Sequence, residues 1–125
     1  MPAMTSLDQL VPLYRVAIIA RDVDAVADLY EHDAIYFVPS FGIDARGQGA
    51  IAHAYREFFQ QFTPLDFHLV AGDYQIVGAN AFGHRAYALR FRNNATGAEQ
   101  VAQVRATEVL HRGPDGGWRL LIDHA

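Results

Sequence analysis

Cysteine is absent from the 125 residues of this chain. Disulfide scaffolding, thiolate catalysis and cysteine-based metal sites are therefore excluded. Runs of basic residues are also missing, and the formal net charge is −4. Nucleic-acid binding needs clustered positive charge to neutralise phosphates, so no such partner is expected. No apolar stretch approaches the roughly 20 residues that cross a bilayer. Met1 to Leu10 lacks the charged start and apolar run of a targeting segment. The expectation is a cytoplasmic protein with no membrane partner. There are six histidines, but His32, His53, His68, His84, His111 and His124 form no HxH or HxxxH pair, so no metal site is expected. Without repeats, low-complexity stretches or Pro/Gly-rich linkers, residues 1–125 read as a single domain.

What remains is ordinary globular material, 51% hydrophobic and 19% charged. The first half reads as helical. Leu7, Leu10, Val11, Tyr14, Ala17 and Ile18 follow the i, i+3, i+4, i+7 spacing of an amphipathic helix. Asp22 and Asp24 can cap a second short helix carrying Val26, Leu29 and Tyr30. Ala34–Val38 is rich in strand formers and stops at Pro39. Ser40–Gly49 reads as a loop. A third helix places Ile51, Ala54, Tyr55, Phe58 and Phe62 on one face and ends at Thr63-Pro64.

The second half reads as a β-meander. Asp66–Val77 is a strand bent at Gly72, followed by strands over Ala81–Arg92, Glu99–Arg112 and Trp118–Ala125. Turns fall at Asn93–Gly97 and Gly113–Gly117. Helices followed by antiparallel strands give an α+β fold. Alternation along Val101–His111 puts Ala102, Val104, Ala106, Glu108 and Leu110 on an apolar face turned toward the helices. Tyr87, Leu89 and Phe91 share a face with Arg85, and the hairpin register sets Arg85 roughly opposite Glu108. On the last strand, strict alternation groups Asp123 with Leu121 and Ala125. It leaves Trp118, Leu120, Ile122 and His124 on the other face.

The motifs Arg21-Asp-Val-Asp24, Leu29-Tyr-Glu-His-Asp-Ala34 and Arg46-Gly47…Ala50-Ile51 resemble the opening of domains like nuclear transport factor 2 (NTF2-like). The tail Thr107-Glu-Val-Leu-His-Arg…Asp115-Gly-Gly-Trp118-Arg…Asp123-His-Ala125 is similar to the end of the SnoaL-like and DUF4440-type branch. It also resembles the association domain of calmodulin-dependent kinase II. The resemblance covers nearly the whole chain. It implies a cone in which a curved, mostly antiparallel sheet wraps three N-terminal helices around an apolar pocket. It further implies a homodimer through the outer sheet face. Ketosteroid isomerases of this superfamily use an Asp base with a Tyr and a protonated acid as oxyanion hole. Carried over, Tyr14 falls on that Tyr, Tyr30 and Tyr55 on a supporting tyrosine network, and Glu108 on the acid. Val38 occupies the position of the base, so steroid isomerisation by that route is not expected.

Each candidate also has an ordinary reading. Tyr14, Tyr30 and Tyr55 on apolar faces are core tyrosines unless a ligand oxygen meets them. Glu108 among alanines, Val104 and Leu110 cannot be buried charged and alone. It pairs with Arg85 or keeps its proton. Asp123 is a second pocket carboxyl or a wet terminal residue. Tyr36, Val38, Phe41, Phe58, Tyr87 and Leu89 are pocket lining or plain core. His124 and Arg105 read as structural or interface residues, and Asp44 and Arg46 as an exposed loop pair. Two function classes follow. One is a cofactor-free enzyme that moves a proton next to a carbonyl, as in isomerisation, cyclisation or dehydration, with Tyr14, Glu108 and Asp123 as catalytic residues. The other is a non-catalytic dimeric module for an apolar, carbonyl- or carboxylate-bearing molecule anchored by Arg85.

Overall fold

A computed structural model describes residues 4–125. Helix α1 spans Leu10–Ile19, preceded by a 3-10 turn at Leu7–Gln9. Helix α2 is only Val23–Ala27, capped by the Asp22 carboxylate accepting from the Ala25 N–H at 3.1 Å. The expected extension of this helix through Leu29 and Tyr30 does not occur, because Tyr30 opens strand β1, Tyr30–Val38. The parallel pairing of Tyr30 with Leu120, far along the chain, wins over the helical spacing. The expected loop Ser40–Gly49 is partly ordered: a 3-10 turn at Pro39–Phe41 leads into strand β2, Ile43–Arg46, antiparallel to β1. Helix α3 runs Gln48–Gln61, and Phe62 already belongs to strand β3, Phe62–Ala71.

The expected single strand Asp66–Val77 is two strands. β3 and β4, Tyr74–Val77, both pair antiparallel with β5, Asn80–Asn93, on the same edge. Gly72 separates them with φ +111°, and a Cβ there would lie 2.8 Å from Arg85 Cα. Only glycine fits this crossing of chain over chain. Strand β6, Glu99–Arg112, forms a long hairpin with β5, and β7, Trp118–His124, pairs antiparallel with β6. The simple meander is closed by a non-local pairing, because β1 lies parallel to β7. The result is a curved, mostly antiparallel sheet in the order β2-β1-β7-β6-β5-β3, with β4 beside β5. The helices pack on its inner face, and Tyr30, Ile51, Leu110 and Val26 sit fully buried between the layers.

Two register findings correct the expectations. Gly83, not Arg85, is the residue opposite Glu108, and Arg85 faces Ala106. On β7, Ile122 pairs with Val109 but Leu120 pairs with Leu110, so Leu121 is an extra residue in a β-bulge. The bulge resets the phase. Trp118 and Leu120 face inward with Asp123, at 5% and 2% exposure. They are not on the outer face with His124, as strict alternation placed them.

Candidate functional site

One transverse row of the inner sheet face carries the polar groups. In register, Tyr74 of β4 lies beside Gly83 of β5, Glu108 of β6, Asp123 of β7, Tyr36 of β1 and Ala45 of β2. Gly83 has no side chain, so the Tyr74 ring lies over it, and the Tyr74 hydroxyl donates to Glu108 Oε1. The Tyr87 hydroxyl donates to Glu108 Oε2 at 2.6 Å. Arg85 does not form the expected ion pair. Its guanidinium carbon sits 4.3 Å from the Tyr74 ring centroid and 5.5 Å from that of Tyr87, behind the tyrosines that hold Glu108. Its Nε and Nη1 are buried without a hydrogen-bonding partner among the described residues.

The helices bring the second half of the site. Tyr14 of α1 and Tyr55 of α3 place their hydroxyls 2.9 Å apart. The Tyr55 and Tyr30 hydroxyls are 3.0 Å apart, and Tyr30 meets Asp123 Oδ2 at 2.8 Å. Tyr36 stacks on Tyr55 with centroids 5.1 Å apart, while Phe67 lies between Tyr14 and Tyr87, 4.9 Å from each.

These groups surround an apolar cavity of about 100 Å³. Tyr14, Glu108 and Asp123 line it, as do Tyr36, Val38, Phe41, Tyr55, Phe58, Tyr87 and Leu89. Phe41 is 53% exposed and edges against Phe58, which places it at the rim. Two expected lining residues stand outside the wall: Tyr30 is fully buried behind it, and Arg85 is screened by Tyr74 and Tyr87. His124 and Arg105 are exposed, and His124 packs on Phe37 with centroids 5.0 Å apart. Asp44 and Arg46 form an exposed pair at 3.5 Å. Among the described residues, no three His, Asp or Glu side chains gather as a metal ligand set.

A SnoaL-like domain model matches residues 12–120. The chain belongs to the SnoaL-like family. Solved structures agree on the fold. A ketosteroid isomerase-like protein from Erwinia carotovora atroseptica is 22% identical, with a TM-score of 0.79 over 94% of this chain and 90% of that one. An NTF2-like superfamily protein from Salmonella enterica serovar Typhimurium is 19% identical, with a TM-score of 0.81 over 94% and 87%. A protein of unknown function from Mycobacterium tuberculosis is 18% identical, with a TM-score of 0.81 over 94% and 67%. No curated protein matches the chain.

Within this SnoaL-like domain the carboxyls are electrostatically unequal. Burial raises Glu108, but the hydrogen bonds from Tyr74 and Tyr87 and the charge of Arg85 oppose that rise. Asp123 is pushed up to about 7 by burial and then by the charge of Glu108, with only Tyr30 opposing. Both carboxyls are raised on balance; the two tyrosine donors favour the charged form of Glu108, while Asp123 holds its proton close to neutrality. Burial holds the phenols of Tyr14, Tyr30 and Tyr55 well above their ordinary value, so they stay protonated.

Sequence reasoning missed Tyr74 and Phe67. The available signal for Tyr74 was Gly83: a glycine in a strand marks a place where another group comes close. A Cβ at position 83 would lie 2.7 Å from Tyr74 Cδ1. Gly83→Ala is therefore expected to displace the Tyr74 ring and cost about 1–3 kcal/mol in urea unfolding. Loss of that donor should also raise the Glu108 pKa, read by carboxyl NMR. An unchanged Glu108 titration would show that Tyr74 does not hold it.

Proposed function

We propose that the cavity binds a small, largely apolar molecule by a carbonyl oxygen and transfers a proton at the adjacent carbon. The observation that carries this reading is the convergence of two unequal carboxyls and a hydroxyl on one apolar cavity. Asp123 is the acid–base group, because a pKa near the working pH is what general catalysis uses. Tyr14 donates to the developing oxyanion. In this reading Glu108, held by two tyrosine donors, is the charged neighbour that raises Asp123. The chain has neither lysine nor cysteine, so Schiff-base and thiolate chemistry are unavailable to it.

The test is exchange of α-protons of small ketones in D2O, followed by NMR. Wild type is expected to accelerate exchange over buffer, and Asp123→Asn to lose about 10²–10⁴-fold of the acceleration. Ketone binding without acceleration would leave the binding-module reading. Val38, where the isomerases place their base, and the pinning of Glu108 favour that second reading.

A homodimer through the outer sheet face belongs to the same proposal. Phe82, Val109, Ile122 and Ile35 are register neighbours in one row across β5, β6, β7 and β1. Phe82 is 47% exposed in the single chain, and Val101 on the same face is 63% exposed. Such a row is poorly left in water. Phe82→Glu should shift the mass seen by light scattering from dimer toward monomer. A monomeric wild type at micromolar concentration would end this part of the proposal.

A further inference from the structure

Tyr14, Tyr55, Tyr30 and Asp123 form a series of hydrogen bonds at 2.9, 3.0 and 2.8 Å, all within ordinary bonding range. Each hydroxyl has one proton to donate. That restricts the directions the series can take. With Asp123 ionised, its oxygen can only accept. Tyr30 then donates to Asp123, Tyr55 to Tyr30 and Tyr14 to Tyr55. Tyr14 has spent its proton inside the protein and shows the cavity only lone pairs. With the proton on Asp123 Oδ2, every bond reverses. Asp123 donates to Tyr30, Tyr30 to Tyr55 and Tyr55 to Tyr14. The Tyr14 O–H is then free to donate into the cavity with no bond lost.

We infer that Asp123, besides exchanging the substrate proton, acts through Tyr30 and Tyr55 to decide whether Tyr14 offers the cavity a hydrogen-bond donor or an acceptor. The inference rests on the proposed reading of the cavity as a carbonyl site and deepens it. A ligand that only accepts hydrogen bonds, such as a ketone or an enolate oxygen, selects the reversed series and so binds together with a proton on Asp123. The same coupling serves proton transfer. When Asp123 takes up a substrate proton, its own acceptor power falls and the reversed series becomes available. The O–H of Tyr14 is thereby released toward the oxygen that has just gained charge. The carbon–hydrogen bond breaks, its electron pair moves to the carbonyl oxygen, and the proton resides on Asp123.

The surroundings of Asp123 suit this role. Glu108 faces it from β6, Tyr30 and Tyr36 from β1, Tyr55 from α3 and Tyr14 from α1, while its neighbour His124 is exposed on the opposite face. Arg85 acts on Glu108 from behind Tyr74 and Tyr87. Burial and the charge of Glu108 bring the Asp123 titration to about 7, so both directions of the series are reachable in mild buffers.

The experiment measures binding of cyclohexanone, which accepts but does not donate or titrate, between pH 5 and 9. In wild type the Kd should rise about threefold to tenfold as pH passes the Asp123 midpoint, the worth of one ordinary hydrogen bond. The infrared C=O stretch of the bound ketone should move to higher frequency over the same range. Tyr30→Phe leaves both carboxyls in place but cuts the series, and both pH steps should vanish. Tyr55→Phe cuts it at the middle and should do the same if Tyr30→Phe folds poorly. A pH-independent Kd in wild type, or an equal step in both cut variants, overturns the inference. Absence of ketone binding at every pH would instead strike the carbonyl reading of the cavity. The series is then decided in the ligand-free protein by 13Cζ-labelled tyrosine NMR. A Tyr14 signal that follows the Asp123 titration in wild type and stops following it in Tyr30→Phe supports the inference. A Tyr14 signal that ignores Asp123, or follows it equally in both proteins, overturns it.

Discussion

Trp118→Ala is expected to cost about 3–5 kcal/mol of stability, read as a lowered midpoint in urea unfolding with little change in slope. The side chain is 5% exposed and belongs to the central core cluster. Its ring lies 5.5 Å from the guanidinium carbon of Arg112, and its backbone N–H donates to the Met4 carbonyl at 2.7 Å. The backbone bond survives the substitution, so the loss measures the buried ring. A tryptophan on the outer face would behave differently. Its removal would leave the unfolding of the single chain nearly unchanged and alter self-association instead. Leu121→Ala makes the internal comparison. Leu121 is the extra residue of the bulge and only partly buried, so its truncation should cost well under the Trp118 value. Equal costs for the two, or a Trp118 cost below about 1 kcal/mol, would contradict the inward phase of the β7 start.

The same bulge explains which parts of the molecule were legible in the chain. Strict alternation is local information, and it worked where strands are regular. Glu108 falls on the inner face with Ala106 and Leu110, and Arg85 with Tyr87 and Phe91. Helical spacing likewise placed Tyr14 and Tyr55 on inward faces, because an apolar stripe at 3.6-residue spacing has only one layer to pack against. The failures are all non-local. A single inserted residue at Leu121 reversed the faces of Trp118 and Leu120, and nothing in Trp-Arg-Leu-Leu-Ile-Asp marks it. Tyr30 reads equally well as the end of a helix or the start of a strand. Its pairing with Leu120 of the distant β7 decides the matter. Strand β2 is four residues long and exists through its ladder with β1. Glu108 shows the limit most clearly. Its burial was readable, but its partners were not. A two-residue offset in the hairpin replaces Arg85 with Gly83 opposite it, and the vacancy beside Gly83 admits Tyr74. Two phenols then hold the carboxylate that an arginine was expected to pair. That exchange changes the chemistry proposed for the row, in which two donors favour the charged form of Glu108 and Asp123 titrates near neutrality.

Stability should fall between about pH 4 and pH 7 in wild type and fall much less in Asp123→Asn. The folded protein holds the Asp123 proton up to about 7, against an ordinary value of 3.8. Below 3.8 both folded and unfolded chains are protonated, and the contribution is fully present. Above that value the unfolded chain releases its proton and the folded chain does not. The unfolded state then binds fewer protons, so unfolding becomes easier with each pH unit, by about 1.4 kcal/mol. The loss is complete once pH has passed the folded value, and its total is on the order of 4 kcal/mol. Asn at this position keeps an oxygen that accepts from Tyr30 and carries no proton to lose. The variant should therefore match wild type to within the difference of one hydrogen bond near pH 4 and exceed it by several kcal/mol at pH 8. Asp66 and Asp115, which their arginine partners and backbone hydrogen bonds hold below the usual carboxylate range, push in the opposite direction. They are common to both proteins, so they cancel when one curve is subtracted from the other. Glu108 cancels as well. In the proposed reading it ionises while Asp123 still holds its proton, and a neutral Asn leaves its burial, Tyr74, Tyr87 and Arg85 as they were. Parallel stability curves for the two proteins from pH 4 to pH 8 would show that Asp123 is ionised in the folded state throughout. Both its part in proton transfer and the reversible tyrosine series would then lose their basis.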